Sequence, residues 1–364
     1  MIVDRKEFMK VLTVLFPTLG KGDDNSANVF CALKDENNKS YMASTNNKVC
    51  AVVPVPFEID TEFRVHGTTL FQLVKKLTKA KTLTLSVVAD NLFIESDGTE
   101  THIPLMESNR ILLDYINFPE ESAFKPLPSN FNEALRFCSK FTKEEIGGTL
   151  AYTYAHKNMM CSATHSEIVL HKLDTRLEDK LFILPSDASN VSGFNFTHYA
   201  YGENSLVHFK TDTNAYITFY SAVLERFPVV ITPEDYTVHE MGNGMDRYTP
   251  KALFNTDGMQ EVTLTEDERK SVTEVLQTCS LFIEEGKEGV SCKFDGDNLI
   301  VSSVGKKGIH KQVLPISSFS LLGFTFETLP QMLIGVLKRN DRIFVGHGKL
   351  ITKSDTVMHY IQVQ

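Results

Sequence analysis

The sequence predicts an α+β protein of three repeated domains, each made of two strand–helix–strands units. Three observations predict it. Five segments carry one apolar stripe with helical spacing, strands of alternating polarity flank each stripe, and this order recurs about six times along the 364 residues. Units of about 60 residues with one helix each favour antiparallel sheets over alternating βαβ units. We expect pairs of units to form domains at 1–120, 121–233 and 234–364.

The predicted helices bury residues at i, i+3, i+4 and i+7, which places those residues on one face. The five stripes, in chain order, are Phe8, Val11, Leu12, Leu15 and Phe16; Leu70, Leu73, Val74 and Leu77; Phe131, Ala134, Leu135 and Cys138; Val272, Val275, Leu276 and Cys279; and Leu329, Met332, Leu333, Val336 and Leu337. A sixth, weaker helix is predicted to start at Pro185-Ser186-Asp187.

The predicted strands alternate apolar and polar residues, and Gly, Asp and Asn between them favour turns. They occupy residues 81–98, 205–223, 295–305 and 341–363. Two junctions, at 113–119 and 225–233, carry a Phe-Pro pair at the same place in successive units, which supports the repeat. Proline breaks a strand ladder and stiffens a connection, so we expect linkers there.

Composition and charge narrow the function classes. The formal net charge of −9 argues against a protein that coats nucleic acid by charge alone. No apolar run approaches the roughly 18 residues of a membrane span, and the charged segment MIVDRKEF lacks the apolar core of a signal peptide. We therefore expect a cytoplasmic protein with no membrane contact, whose six scattered cysteines are buried free thiols.

Sequence motifs of catalysis and cofactor binding are missing. There is no GxxxxGK[ST] phosphate loop and no GxSxG nucleophile elbow. His156, His165 and His171 have no carboxylate or cysteine that completes a metal site, so we expect them to face solvent. We expect no catalysis, no cofactor and no metal. One alternative stays open: an enzyme or ligand-binding protein that uses the repeated α+β scaffold and has its site in loops.

Two segments, 225–233 (ERFPVVITP) and 323–340 (GFTFETLPQMLIGVLKRN), and the turns at 44–46 and 163–165 carry a resemblance. They resemble the Arg-Phe-Pro linker, the Gly-Phe strand with its Leu-rich helix, and the Ala-Thr-Asp turns of the bacterial sliding clamps, the beta subunit of DNA polymerase III. The chain departs from that family in an apparent insertion at 236–260 and in a tail without Met-Pro-Met-Arg-Leu. Asn243-Gly244 in the insertion predicts a projecting hairpin. The departures leave a bacterial and a phage origin open.

The resemblance implies a DNA-clamp fold: a ring of two head-to-tail chains, with helices lining the hole and antiparallel sheets outside. Such a ring encircles duplex DNA, tethers a DNA polymerase and is opened by an ATP-dependent clamp loader. Basic residues on the helices are then implied to contact phosphates without reading bases. The candidates are Arg5, Lys6, Lys10, Lys21, Lys75, Lys76, Lys79, Lys81, Arg136, Lys140, Lys338 and Arg339. The alternative is that they belong to ordinary solvated helix faces.

The resemblance also implies two protein contacts. At the dimer interface, an apolar pair of one chain meets an apolar group of the other. The apolar pair is Leu281 and Phe282, and the apolar group on the other chain is Phe71, Ile103 and Leu105. A pocket for a partner peptide with a Gln and apolar anchors is implied at Thr164, Ser166, Ile168, Val169, Pro233, Ile361 and Val363. The alternatives are that Phe282 is ordinary core and that Ile168, Val169 and Ile361 are inward strand positions.

Overall fold

A computed structural model of the chain divides it into two compact units, Met1–Leu127 with Ser186–Val223, and Pro128–Pro185 with Leu224–Gln364. We call them unit 1 and unit 2. The structure describes residues 1–20, 28–34, 38–46, 49–96, 98–106, 118–142, 148–164, 167–184, 194–221, 239–241, 245–247, 253–283, 289–305, 307–317, 321–338, 342–346 and 348–362. The segment 121–233 contributes to both units, and the three-domain boundaries stay a prediction.

The described residues form five α-helices and a larger number of strands. The helices are α1 (Arg5–Leu15), α2 (Gly67–Lys76), α3 (Phe131–Cys138), α4 (Glu266–Ser280) and α5 (Pro330–Leu337). The strands are β1 (Ile2–Asp4), β2 (Val29–Lys34), β3 (Ser40–Thr45), β4 (Val49–Pro54), β5 (Phe63–His66), β6 (Thr82–Val88), β7 (Asn91–Ser96), β8 (Thr99–Pro104), β9 (Lys125–Pro126), β10 (Thr153–Ala163), β11 (Glu167–Ile183), β12 (Phe196–Tyr201), β13 (Leu206–Thr211), β14 (Tyr216–Tyr220), β15 (His239–Met241), β16 (Met245–Arg247), β17 (Gln260–Thr263), β18 (Val290–Gly296), β19 (Asn298–Gly305), β20 (Gly308–Pro315), β21 (Leu321–Thr328), β22 (Arg342–Gly346), β23 (Lys349–Lys353) and β24 (Val357–Gln362).

The predicted helices are confirmed where the structure describes them, except that Phe16 of the first stripe lies just after α1 and is 36% exposed. In α1, Phe8, Val11, Leu12 and Leu15 are buried, and the Asp4 side chain caps the helix by accepting from the backbone N–H groups of the first turn. In α4, Thr265 and Glu268 form a reciprocal capping box. The sixth predicted helix lies outside the described residues.

Unit 1 contains two antiparallel sheets. The first has the strand order β1-β6-β7-β8, and the second has the order β5-β2-β3-β4-β14-β13-β12-β9. In the second sheet, β4 pairs with β14, so that Val49 lies opposite Phe219 and Val52 opposite Tyr216. This pairing joins strands that are far apart in the sequence into one continuous sheet of eight strands.

Unit 2 also contains a six-stranded and a four-stranded antiparallel sheet, with orders β10-β11-β24-β23-β22-β17 and β20-β19-β18-β21. Helices α4 and α5 pack against both, and Leu276, Leu333 and Ile361 belong to one buried cluster. The strands β15 and β16 pair with each other, with Met241 opposite Met245, inside the apparent insertion 236–260. That the insertion projects as a hairpin stays a prediction.

The structure also tests the expectations for the cysteine thiols and the strand histidines. All six cysteines are free and buried, as expected, and burial raises the pKa of Cys31 to about 12. Our expectation that the strand histidines face solvent is wrong for His171, which is 1% exposed because its strand position points inward. Across the described residues no helix is long and apolar enough to cross a membrane, and no three His, Cys, Asp or Glu cluster as metal ligands would.

We expect the buried His208 to make unit 1 lose stability in acid. Its Nδ1 lies 2.8 Å from Thr218 Oγ1, and burial lowers its pKa to about 4. An unfolded histidine protonates near pH 6.5, so the unfolded state binds the proton first and stability falls as pH drops from about 6.5 to 4. Urea unfolding measures this as the free energy of unfolding of the unaltered chain minus that of a His208→Asn variant. This difference should shrink by up to about 3 kcal/mol as the pH falls across that range. A constant difference would contradict this, and exposed His102 provides the control substitution.

Candidate functional site

The cations predicted to contact DNA gather, in unit 1, where α1 begins and α2 ends. The Arg5 guanidinium donates from Nε and Nη2 to the Val74 carbonyl oxygen, at 3.1 and 3.0 Å, and from Nη2 to that of Lys75, at 3.1 Å. The last carbonyls of a helix have no partner within it, and Arg5 supplies donors for two of them. Arg5 therefore ties α1 to α2 and sets where the neighbouring lysines stand.

Exposed lysines surround this junction. Lys6 follows Arg5, whose backbone N–H donates to the Lys81 carbonyl oxygen at 3.0 Å. The exposed lysines near the junction of α1 and α2 are Lys6, Lys10, Lys75, Lys76, Lys79 and Lys81. Lys10 Nζ lies 2.8 Å from Glu7 Oε1, and this ion pair raises the pKa of Lys10. Lys21 lies outside the described residues.

Unit 2 has a smaller group of cations on neighbouring elements. Arg136, Lys140 and Lys338 are exposed, on α3, just after it, and just after α5. A Cβ on Gly335 of α5 would lie 3.6 Å from the Phe137 ring, which shows how closely α5 approaches α3. Arg339 lies outside the described residues.

The Arg5 tie has a counterpart in unit 2. Arg269, in the first turn of α4, donates from Nη1 to the Leu337 carbonyl oxygen at the end of α5, at 3.4 Å. In both units, therefore, an arginine at the start of one helix reaches the last turn of a second helix. This shared arginine-to-carbonyl hydrogen bond between two helices supports the internal repeat predicted from the sequence.

This arrangement suits contact with a polyanion without base recognition. Apart from Lys10, which is paired with Glu7, the lysine ammonium groups stand on flexible stems near helix ends, where they can meet phosphates in many geometries. Phosphate contacts of this kind position a protein on a duplex and carry no sequence information.

The turn between β10 and β11 is built around two of the residues near the predicted peptide pocket. Thr164 N donates to the Glu167 carbonyl oxygen at 2.8 Å, and Glu167 N donates to Thr164 Oγ1 at 3.1 Å. The Glu167 carboxylate then turns inward, where Oε1 accepts from Leu329 N at 3.0 Å and Oε2 from His359 Nε2 at 2.9 Å. Glu167 is 2% exposed and His359 is fully buried, so the turn is anchored in the core.

The predicted pocket residues lie on two faces of the six-stranded sheet. Ile168 lies opposite Tyr360, and Val169 lies opposite His359. Successive strand residues point to opposite faces, and Val169 and Ile361 have no exposed surface. These two fit the alternative of inward positions, because the register assigns them to the core face. Ile168 and Tyr360, both half-buried, share the other face with Ile351, which we call the outer face. Ser166, Pro233 and Val363 lie outside the described residues.

The predicted dimer residues differ in how much surface they offer. Leu281 is 65% exposed just after α4, which is unusual for a leucine in this chain. Phe282 is half-buried and stacks on His310, with ring centroids 5.4 Å apart. Phe71 is 8% exposed and stacks on Phe16 within unit 1. Ile103, at 3% exposure, also belongs to the core of unit 1, and Leu105 is half-buried.

Sequence reasoning missed the Glu167–His359 pair. The signal was present, because the same alternation that places Val169 and Ile361 inward also places Glu167 and His359 inward. A carboxylate and an imidazole buried on adjacent strands need each other as hydrogen-bond partners.

No protein-family model and no curated protein matches the sequence. Solved structures do match the fold. A DNA polymerase III beta-subunit sliding clamp from Pseudomonas aeruginosa, bound to griselimycin, has a TM-score of 0.72 at 9% identity, covering 100% of this chain and 98% of its own. The beta subunit from Thermotoga maritima has a TM-score of 0.70 at 15% identity, with 99% and 98% covered. The Helicobacter pylori beta clamp bound to a DNA ligase peptide has a TM-score of 0.67 at 10% identity, with 100% and 98% covered. The chain therefore has, over its full length, the α+β fold of the bacterial DNA polymerase III sliding clamps.

Proposed function

We propose that the chain is a DNA sliding clamp, a ring-shaped processivity factor without catalysis of its own that encircles duplex DNA and tethers a replicative DNA polymerase. The observation that carries this proposal is the likeness to sliding clamps over the whole length of this chain and nearly the whole length of theirs. That likeness also favours a clamp over an enzyme or ligand-binding protein on the same scaffold.

Topology, rather than tight binding, would hold such a clamp on DNA. A closed ring stays on a circular duplex even when each phosphate contact is weak, and weak contacts permit sliding. The exposed lysines around the start of α1 and the end of α2, such as Lys75, Lys76 and Lys79, supply contacts of that kind. The net charge of −9 fits, because a ring needs positive charge only where it faces DNA.

Closure of the ring requires a second copy of the chain. In the proposed head-to-tail dimer, Leu281 and Phe282 meet Leu105 and its neighbours on the other chain, a heterologous contact made twice around a two-fold axis. Leu281 is the member with the most surface to bury. An ATP-dependent clamp loader would open one contact and place the ring on DNA.

The proposed polymerase contact is a short peptide with apolar anchors, received near the β10–β11 turn. The Helicobacter pylori clamp, whose fold this chain shares, is bound to a DNA ligase peptide. Thr164 and Ile168 are the described candidates, since both keep accessible surface. In interfaces of this kind, a few buried anchor side chains carry most of the binding energy.

Retention on circular DNA tests the proposal. The chain is incubated at high concentration with nicked plasmid, so that spontaneous ring opening can load it, and then gel-filtered at 50 and 200 mM salt. We expect it to elute with circular DNA and to be lost after linearisation. A chain with Lys75, Lys76 and Lys79 replaced by Glu should stay folded and load poorly.

On short linear duplex, each lost phosphate contact should flatten the slope of log K against log salt by about 0.9.

Equal behaviour on circular and linear plasmid would contradict a ring. A triple replacement of Lys172, Lys180 and Lys311 by Glu serves as the matched control, because these exposed lysines lie on strands and outside the predicted set.

A further inference from the structure

The end of the apparent insertion lies across the outer face of the six-stranded sheet in unit 2. We call this segment, Leu253–Met259, the strap. Leu253 and Phe254 are only 6% and 5% exposed, and the Phe254 ring lies edge-on to Tyr360, with centroids 6.4 Å apart. The Phe254 ring therefore covers the outer face at β24.

Side chains, rather than a strand ladder, hold the strap. Lys349 Nζ donates to the carbonyl oxygens of Leu253, at 3.4 Å, and Asn255, at 2.9 Å. Lys353 Nζ lies 3.3 Å from Thr256 Oγ1. Within the described residues, the backbone hydrogen bond of the strap joins Met259 N to its own Thr256 carbonyl oxygen, at 3.1 Å. The strap can therefore leave the sheet without breaking any pairing between strands that the structure describes.

The strap ends at the edge of the sheet. Met259 precedes Gln260, which pairs with Val345, so Met259 lies beside Gly346, where a Cβ would come within 3.4 Å of Met259 Cα. Lys349, which bonds the strap, is half-buried beneath it, and burial lowers its pKa. Lys349 is therefore covered by the strap whose carbonyl oxygens its ammonium group bonds.

The place that the strap fills adjoins the proposed peptide site. Tyr360, the ring that Phe254 contacts, lies directly opposite Ile168 on one side and Ile351 on the other. Residues directly opposite each other in adjacent strands share a face, so Phe254 is seated one strand away from Ile168.

We propose that the strap is a displaceable occupant of the polymerase-peptide groove, so that a partner must replace Leu253 and Phe254 with its own apolar anchors. This inference rests on the proposed function. A tethered segment acts at an effective concentration of ~1 mM, so it excludes peptides that bind weakly and admits only those that bind tightly. The strap would thus select partners by affinity.

A peptide offered in trans tests this inference on the full chain. The probe is a fluorescein-labelled synthetic peptide of residues 250–259, PKALFNTDGM. We expect it to bind a chain carrying Leu253→Ser and Phe254→Ser at least about tenfold more tightly than the unaltered chain, measured by fluorescence anisotropy, because the internal competitor has been weakened. A peptide with the same two serines should bind neither chain.

A second variant keeps the test decisive if the double serine variant does not fold. Lys349→Met removes the donor to the two strap carbonyls and keeps the apolar residues, so it should raise probe affinity in the same direction, by a smaller factor. Lys172→Met, an exposed lysine on the same sheet, is the matched control and should leave affinity unchanged.

Equal affinity of the probe for all chains, or no binding to any, would show that peptides do not displace the strap from the sheet. Either result would overturn the inference. The readout needs no DNA. A failure here with normal retention on circular plasmid would remove the strap mechanism alone, whereas probe exchange without retention would leave the strap and remove the clamp.

Discussion

Replacing Glu167 with alanine should destabilise unit 2 by about 3–5 kcal/mol, because it leaves His359 buried without its hydrogen-bond acceptor. Oε2 of Glu167 lies 2.9 Å from His359 Nε2, and Oε1 accepts from Leu329 N at the start of α5. Both side chains are almost completely buried, so water cannot replace the lost partner. Urea unfolding at constant pH measures the change.

A second glutamate–histidine pair provides the control. In unit 1, Glu100 Oε1 lies 2.6 Å from His102 Nε2, but both side chains are about half exposed. Glu100→Ala should therefore cost less than about 1 kcal/mol, since water solvates the remaining imidazole. Equal effects of the two substitutions would mean that burial does not decide the strength of the Glu167 pair.

Replacing Leu281 with lysine should convert the proposed dimer into a folded monomer. The side chain is 65% exposed, so the substitution costs the single chain little, but it would place a charge in the centre of an apolar contact between chains. Sedimentation velocity should show a change from about twice the chain mass of 41.0 kDa to the chain mass itself. Phe282 is the poorer probe, because it also stacks on His310 within its own chain.

Ile2→Lys is the matched control for this experiment. Ile2 is 71% exposed, on β1, and is outside the predicted contact. It should leave the dimer intact, which would exclude a general effect of added charge. A Leu281→Lys chain that remains dimeric would place the interface elsewhere.

The helices could be predicted from sequence because each buries one stripe of fixed period. The last member of the second stripe, Leu77, falls just beyond α2, since apolar spacing does not mark where a helix ends. The pocket was harder to predict. Val169 and Ile168 are adjacent, and only the register with β24 decides that one of them points into the core.

Arg5 shows a different limit of prediction. As a basic residue at a helix start, it was expected to contact DNA, yet much of its hydrogen-bonding capacity goes to the end of α2. The carbonyls it meets belong to residues about 70 positions away, and a local pattern does not report such partners. The strap was missed for the same reason: Leu253 and Phe254 reveal their role only through Lys349 and Tyr360.

The pairing of β4 with β14 has a consequence for synthesis on the ribosome. Val49 meets Phe219, 219 − 49 = 170 residues later. At a synthesis rate of ~5–20 residues per second, roughly ten to thirty seconds pass between the synthesis of β4 and that of its partner strand β14. During that time the edge of β4, Val49–Pro54, whose residues are mostly buried in the finished protein, stays open. The N-terminal third therefore emerges with one sheet edge unpaired, and a nascent chain paused before residue 216 would present that edge to chaperones and to other unfinished copies.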